Sequence, residues 1–454
     1  MKIAKKLAKM IRHILSFLLM LMINTIIFLF KKIDSVFKLI INTFKFLINK
    51  LKNFNNNYRS VVKQGLVALV ICAIGDLIAG IILGNMNYFI ESFPGLLIII
   101  PGAIAMRGNI FGSLASRLNT NLHIGTLSPE FKKSDILNNN ILSSIILTLV
   151  ISLILSIIAK IICLAFNFES MAFVNFALIN IFAGIISCII MLPITMFISL
   201  KSYEYGWDPD NITTPLITAA GDLFTLPSLI ISILLLFFIN NELIETIILI
   251  ILIIIIIALF IYGLLLNNEI KKILSQSTPV LLISSCLGIF AGGFLHTSSK
   301  TLLNNQTLLT LVPLFSGVNG SLLSILSARL SSGFHAGFIE PMMHPDRNTL
   351  HNFAILFVFG IFIFPFIALI VEFSLNLIGS DTLGILTTLP IIIISGFIVI
   401  TIMMTIIFYL SVLSVREGLD PDNIVLPIST SLTDLISIIV LTSFAVFILN
   451  HFMF

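Results

Sequence analysis

The chain has 454 residues, of which 58% are hydrophobic and only 10% are charged, and its mean hydropathy is +1.14. A chain this apolar is not a soluble globular protein, and no basic surface interleaved with aromatic residues suggests nucleic-acid binding. The net charge of +4 matters only through its distribution across the loops. Many windows exceed the ~18 consecutive apolar residues of a membrane-spanning helix. The composition therefore predicts an all-α polytopic membrane protein.

Residues 1–57 differ from the rest of the chain. Basic residues from Lys2 to Arg12, and then from Lys38 to Lys52, recur opposite apolar stripes at helical spacing. This pattern predicts a basic amphipathic N-terminal arm that lies in the membrane interface. Residues 14–30 are apolar enough to span, but a span would put basic residues on the wrong side, so an in-plane or re-entrant arm is preferred. No small-residue cleavage site follows, so we predict no cleaved signal peptide.

Eleven apolar segments follow. Five belong to a first transmembrane repeat (residues 58–240), one is a linker transmembrane helix within residues 241–270, and five belong to a second repeat (residues 271–454). The predicted spans are 61–83, 93–115, 136–159, 171–199, 212–239, 243–266, 278–295, 307–327, 352–378, 383–411 and 424–449.

The loops between these spans alternate in charge. One set holds most basic residues, such as Lys132 and Arg347, whereas the opposite set holds mainly acids, such as Glu91 and Glu169. The positive-inside bias predicts a cytoplasmic N-terminus and an external C-terminus. Corresponding loops of both repeats are basic, so we predict two parallel repeats, related by a pseudo-twofold axis along the membrane normal.

One stretch of sequence occurs twice, at an offset of 212 residues. Asp-Pro-Asp-Asn begins at Asp208 and again at Asp420, and an apolar segment with a single carboxylate follows, at Asp222 and at Asp434. A charge inside a span is costly, so both carboxylates are predicted to be functional. The same offset relates Gly80/Gly292, Pro101/Pro313, Gly108/Gly320, Arg117/Arg329, His123/His335 and Gly184/Gly396.

These motifs resemble a known family. Pro101-Gly102, Arg107-Gly108-Asn109 and the run from Leu114 to Thr120 are similar to the second-span signature of the MgtE magnesium transporters, and closer to their relatives in solute carrier family 41. Ser327-Ala328-Arg329-Leu330 is the echo in the second half, where Gly320-Ser321 departs from Gly-Asn. The resemblance covers residues 58–454. It implies a fused two-repeat transporter without the cytoplasmic regulatory domains of many bacterial members, with the family's pore aspartate at Asp222 and Asp434.

Asp222 and Asp434 are the first candidates for a metal site. The pseudo-twofold axis is expected to bring them together, where two carboxylates in a low dielectric repel each other and a divalent cation relieves the repulsion. Mg²⁺ prefers oxygen ligands and gives up its water reluctantly, which suits a ring of carboxylates and carbonyls. The alternative is that each aspartate only packs between helices and bonds to Ser or Thr.

Two further residues are weaker metal candidates. Asn109 follows Pro101 and two glycines, which can break the second span and expose carbonyl groups; close helix packing is the alternative role of the glycines. Asp76 has no counterpart, because Gly288 replaces it. Asp76 is therefore either an asymmetric ion or proton site or a packed, hydrogen-bonded residue. Glu372 is a similar but weaker candidate.

The remaining polar candidates are predicted to be structural. Acidic residues are favourable in a turn that leads into a helix. For this reason a structural role is preferred over an ion-entry role for the cytoplasmic turn acids Asp208, Asp210, Asp420 and Asp422. Arg117 and Arg329 would repel Mg²⁺, so we expect them to pair with those acids or to reach the interface.

The sequence as a whole predicts a transporter of divalent cations, with Mg²⁺ as transported ion and no cofactor, in the plasma membrane and in contact with lipid. The fused chain is expected to act as a monomeric pseudo-dimer. The alternative is an exchanger coupled to Na⁺ or H⁺. An intramembrane enzyme is a remote alternative, because no Ser–His, Cys–His or His-Glu-x-x-His set is found. The sequence does not decide which of Mg²⁺, Mn²⁺, Co²⁺ and Ca²⁺ is transported or in which direction. It also leaves open whether the protein is a channel or an exchanger.

Overall fold

The computed structural model describes residues 56–124, 127, 134–204, 209–266, 268–335, 337–418 and 421–452. Helices account for nearly all of these residues, and no strand occurs among them. In chain order the helices are α1 (Asn56–Gly84), α2 (Asn87–Ser92), α3 (Leu96–Ile124), α4 (Asp135–Ala165), α5 (Phe173–Glu204), α6 (Pro209–Ile239), α7 (Glu242–Leu266), α8 (Asn268–Thr297), α9 (Ser299–Leu303), α10 (Gln306–His335), α11 (Arg347–Ile378), α12 (Ile385–Arg416) and α13 (Pro421–Phe452). The predicted N-terminal arm, apart from its last two residues, lies outside the described residues.

All helices except the short α2 and α9 are long and apolar enough to cross a membrane, which gives eleven candidate spans. Each of the eleven coincides with a predicted span, so the predicted span count is confirmed. The clearest difference is α8, which begins at Asn268 instead of residue 278. Its first turns carry Lys271 and Lys272, and Pro279 lies inside the helix, so the apolar window marked only its later part.

Helix α7 explains how the two repeats share one orientation. It is a single apolar span between two sets of five, so α8 crosses the membrane in the same direction as α1. α7 packs against α4 and α8 and leaves most of its large side chains exposed, for example Leu243, Ile254 and Leu265. Exposure of this kind on an apolar helix is typical of a membrane span at the edge of a helix bundle. α7 therefore serves as the linker span.

The first span of each repeat packs against the second span of the other repeat. A Cβ added at Gly80 of α1 would lie 2.1 Å from the carbonyl oxygen of Thr310 in α10. A Cβ added at Gly292 of α8 would lie 2.1 Å from the carbonyl oxygen of Ile98 in α3. Both glycines and both contacted residues are pairs at the 212-residue offset. The same contact made twice in exchanged roles is what a twofold axis produces.

The predicted break in the second span is wrong. α3 runs unbroken from Leu96 to Ile124 with Pro101 inside it. The glycines serve close helix packing instead: a Cβ added at Gly288 would lie 2.5 Å from the Cα of Gly102, and one added at Gly221 would lie 3.4 Å from the Cα of Gly108. Small residues let helix backbones approach closely in membranes, where apolar side chains gain little from leaving lipid.

Candidate cation site

Three carboxylates from three helices lie near one another between the repeats. Asp76 lies on α1, Asp222 on α6 and Asp434 on α13. The side chains of Asp76 and Asp222 are 1% and 6% exposed, and Asp434 is partly buried. Asp76 and Asp222 are within hydrogen-bonding reach of each other, and Asp434 interacts electrostatically with both. The structure thus brings together the two predicted fifth-span aspartates and the unpaired aspartate of the first span.

The Asp76 carboxylate lacks a donor of its own. Neither oxygen of the Asp76 carboxylate accepts a hydrogen bond from an N–H or O–H donor among the described residues. A hydrogen bond between the carboxyl groups of Asp76 and Asp222 therefore requires a proton on one of them. With both groups ionised, the two negative charges repel each other, and a cation that enters between them removes that repulsion.

Glycines of α10 make the space for these carboxylates. A Cβ added at Gly317 would lie 2.4 Å from Oδ2 of Asp76, and one added at Gly320 would lie 3.9 Å from Oδ1 of Asp434. In the first repeat, the residue equivalent to Gly317 is Ala105. The residue equivalent to Asp76 is Gly288, which packs directly on the backbone of α3. A carboxylate fits on one side of the pseudo-axis and not on the other.

Asn109 lies in the wall between the repeats. Its Nδ2 donates to Oγ of Ser431 on α13 at 3.4 Å, so it joins the second span of one repeat to the fifth span of the other. Its equivalent, Ser321 on α10, is within hydrogen-bonding reach of Cys72 on α1. The two positions therefore connect helices near the carboxylates.

The two predicted structural arginines make the same contact in both repeats. Nε of Arg117 donates to Oδ1 of Asn140 at 2.7 Å, and Nε of Arg329 donates to Oδ1 of Asn352 at 2.8 Å. Each bond fastens the second span of a repeat to its third span. The expected pairing with turn acids is a prediction that lies outside the described side chains, which include none of Asp208, Asp210, Asp420 and Asp422.

Arg107 is a buried charged residue for which the sequence alone predicted no role. It is fully buried, its Nε donates to Oγ of Ser187 at 2.7 Å, and its Nη1 donates to the carbonyl of Ala103 at 3.1 Å. Its Nη2 has no partner among the described residues. Its backbone lies against Gly221, the neighbour of Asp222. The sequence did contain a sign that Arg107 is important, because it is a charged residue inside the predicted span 93–115 and such charges are costly in membranes.

The carboxylates do not form a tight cage. Among the described residues, no three His, Cys, Asp or Glu side chains are placed to hold a metal ion together. Mg²⁺ is commonly bound through one or two carboxylates and several waters, an arrangement that needs no closed cage of side chains.

The fold and the site together define an integral membrane protein of the transporter class. In transporters built from repeats, the substrate site lies at the interface between the repeats, near the membrane midplane. Comparison with known families agrees: the family described as MgtE, divalent cation transporter, matches residues 100–232 and 312–444. Both ends of these two stretches are offset by 212 residues, as the internal repeat is. The chain belongs to this family of divalent cation transporters, which confirms the resemblance predicted from the sequence.

Similar proteins cover most of the chain. Solute carrier family 41 member 3 from Rattus norvegicus is 22% identical over 402 residues, which are 83% of this chain and 85% of the rat protein. Member 3 from Mus musculus is 23% identical over 401 residues (82% and 80%), and mouse member 2 is 21% identical over 400 residues (82% and 68%). At the level of the family, these relatives are solute carriers and not enzymes. No solved structure gives a significant match.

Proposed function

We propose that this chain transports Mg²⁺ through a path between its two repeats, lined by Asp222 and Asp434, with Asp76 as a third carboxylate. The proximity of these three carboxylates from α1, α6 and α13, with Asp76 and Asp222 buried and Asp434 partly buried, is the observation that carries the proposal. Uncompensated negative charge at this depth is expensive, so a cation is needed to stabilise it. A loose arrangement of carboxylates favours a hydrated ion over one stripped of its water.

The proposal extends to the setting of the protein. The loop charges support a cytoplasmic N-terminus and an external C-terminus, and the proposal places the chain in the plasma membrane. Because one chain supplies both repeats, it contains both halves of the site and needs no second copy to build the path. The transported ion is the only metal in the proposal, and no resident cofactor is involved.

The second candidate function is exchange of the divalent ion against Na⁺ or H⁺. The observation that favours it is Glu372, a carboxylate that is 5% exposed and lies outside the three-aspartate site. Divalent flux measured with and without opposing Na⁺ and H⁺ gradients separates the two candidates. A divalent-ion flux that is unchanged by the Na⁺ and H⁺ gradients supports uncoupled transport.

The test of the proposed path is divalent-ion flux into liposomes that contain the purified chain. Asp222→Asn and Asp434→Asn each keep the side-chain shape and one oxygen but remove the charge. We expect each to lower Mg²⁺ flux about tenfold or more, because interactions with charged groups are worth roughly 1.5–3 kcal/mol. Asp381→Asn, at an exposed aspartate, is the matched control. If both span variants keep a flux per folded protein close to that of the unmodified chain, the proposal is wrong and these aspartates only pack between helices.

A further inference from the structure

Lys160 and Glu372 occupy the same position in the two repeats, near the C-terminal ends of α4 and α11. In the first repeat, the Lys160 ammonium group donates to Oγ of Ser170 and to the carbonyl of Met171, both at 2.9 Å. It also lies 6.0 Å from the ring centre of Phe176. Two oxygens and an aromatic face thus surround the Lys160 ammonium group, which is a monovalent cation supplied by a side chain.

The second repeat replaces this cation with a carboxylate. Glu372 is 5% exposed, and the hydroxyl of Thr388 donates to its Oε1. Its Oε2 is buried without a hydrogen-bond partner among the described residues. Thr388 is the equivalent of Phe176, so a carboxylate and a hydroxyl stand where the first repeat has an ammonium group and a ring. A buried carboxylate with an unpartnered oxygen indicates that a positive group is missing.

The two neighbourhoods correspond in structure as well as in sequence. The N–H of Met171 donates to the carbonyl of Pro94 at 2.9 Å, just before α3. The N–H of Leu383 donates to Oγ1 of Thr307 at 3.3 Å, at the start of α10. Leu383 is the equivalent of Met171, and each repeat therefore ties this connection to the beginning of its second span. Thr382 and Leu383 stand at the positions whose oxygens hold the ammonium group in the first repeat.

We propose that Glu372 and Thr388 form a Na⁺ site in the second repeat, at the position that the Lys160 ammonium group fills in the first. One carboxylate balances one positive charge, and a divalent ion would leave an uncompensated charge. The Thr388 hydroxyl has two acceptors within reach, Glu372 and the carbonyl of Gly384 at 3.1 Å. When Na⁺ binds, the hydroxyl turns its proton to Gly384 and offers a lone pair to the ion. The site goes beyond the proposed divalent path and uses none of its three aspartates.

The test is equilibrium binding of ²²Na⁺ to the full chain in nanodiscs, with choline chloride keeping the ionic strength constant. We expect saturable binding that weakens about tenfold or more in Glu372→Gln. The paired variant Glu372→Lys/Thr388→Phe rebuilds the Lys160–Phe176 arrangement, so it should stay folded and lose Na⁺ binding. Thr388→Ser keeps the hydroxyl and should keep binding.

Several outcomes overturn the proposal. No Na⁺ binding to the unmodified chain is one, and binding of unmodified strength to folded Glu372→Gln protein is another. Thermal unfolding of each variant shows whether it is folded. Asp222→Asn separates this proposal from the proposed function, because we expect it to lose divalent flux and to keep Na⁺ binding.

Discussion

Substitution of Gly292 by alanine tests the reciprocal packing of the repeats. The new Cβ would lie 2.1 Å from the carbonyl oxygen of Ile98 and 2.6 Å from its carbonyl carbon. These are backbone atoms, so no side-chain rotation relieves the overlap and helices α3 and α8 must separate. Overpacking of this kind costs about 1–3 kcal/mol, whereas alanine gains up to about 1 kcal/mol over glycine in a helix. Because the obstacle is backbone, we expect a net loss of about 1–2 kcal/mol.

The neighbouring residue supplies the control. A Cβ added at Gly293 would come no closer than 3.8 Å to a ring atom of Phe168, so Gly293→Ala should be neutral or slightly stabilising. Gly80→Ala, the symmetry-equivalent change, should match Gly292→Ala because its Cβ meets the Thr310 carbonyl at the same 2.1 Å. A thiol-reactive dye reports unfolding during heating, since three of the four free cysteines are buried. If Gly292→Ala unfolds at the same temperature as Gly293→Ala, the proposed contact between the repeats is wrong.

Two further changes test the site and the topology. Gly317→Ala places a Cβ 2.4 Å from Oδ2 of Asp76. We therefore expect the carboxylate to move, the divalent flux to fall several-fold and the stability to change little. Gly320→Ala is the control and should keep its flux, because its Cβ has no contact nearer than 3.9 Å. Equal flux in the two variants would remove Asp76 from the site. Cysteines introduced at the exposed Asn240 and Asn268, which flank α7, should be labelled from opposite sides of the membrane, and labelling from one side would contradict the linker span.

The number of spans and the pairing of Asp222 with Asp434 could be predicted because both depend on local or periodic signals. Apolar windows indicate where a helix crosses, and the 212-residue offset relates the two copies without any knowledge of contacts. Which helices touch is a tertiary property. That Asp76 reaches Asp222 depends on α1 packing against α10 of the other repeat, where Gly317 leaves room. Nothing in the local sequence around Asp76 specifies that neighbour.

The unbroken α3 was missed for a related reason. Pro101 removes one intrahelical hydrogen bond, and glycine lowers helix propensity, so local rules favour a break. In a membrane, a broken backbone must find other partners for its polar groups, which makes a continuous helix the less costly choice. The glycines are then available for contacts that only the folded chain shows, such as Gly102 against Gly288.

Fusion of the two repeats into one chain permits a site that two identical subunits cannot build. In a symmetric dimer, every residue appears on both sides of the axis, so an aspartate equivalent to Asp76 would also stand at the position of Gly288, where even a Cβ would lie 2.5 Å from the opposing backbone. One chain with two copies can keep the carboxylate on one side only, which makes the number of carboxylates at the site odd. Among the described residues, buried or partly buried charged positions that differ between the copies include Asp76/Gly288, Arg107/Asn319 and Lys160/Glu372. Each difference changes the charge on one side of the pseudo-axis, so the two repeats are unlike in the charge they hold inside the fold.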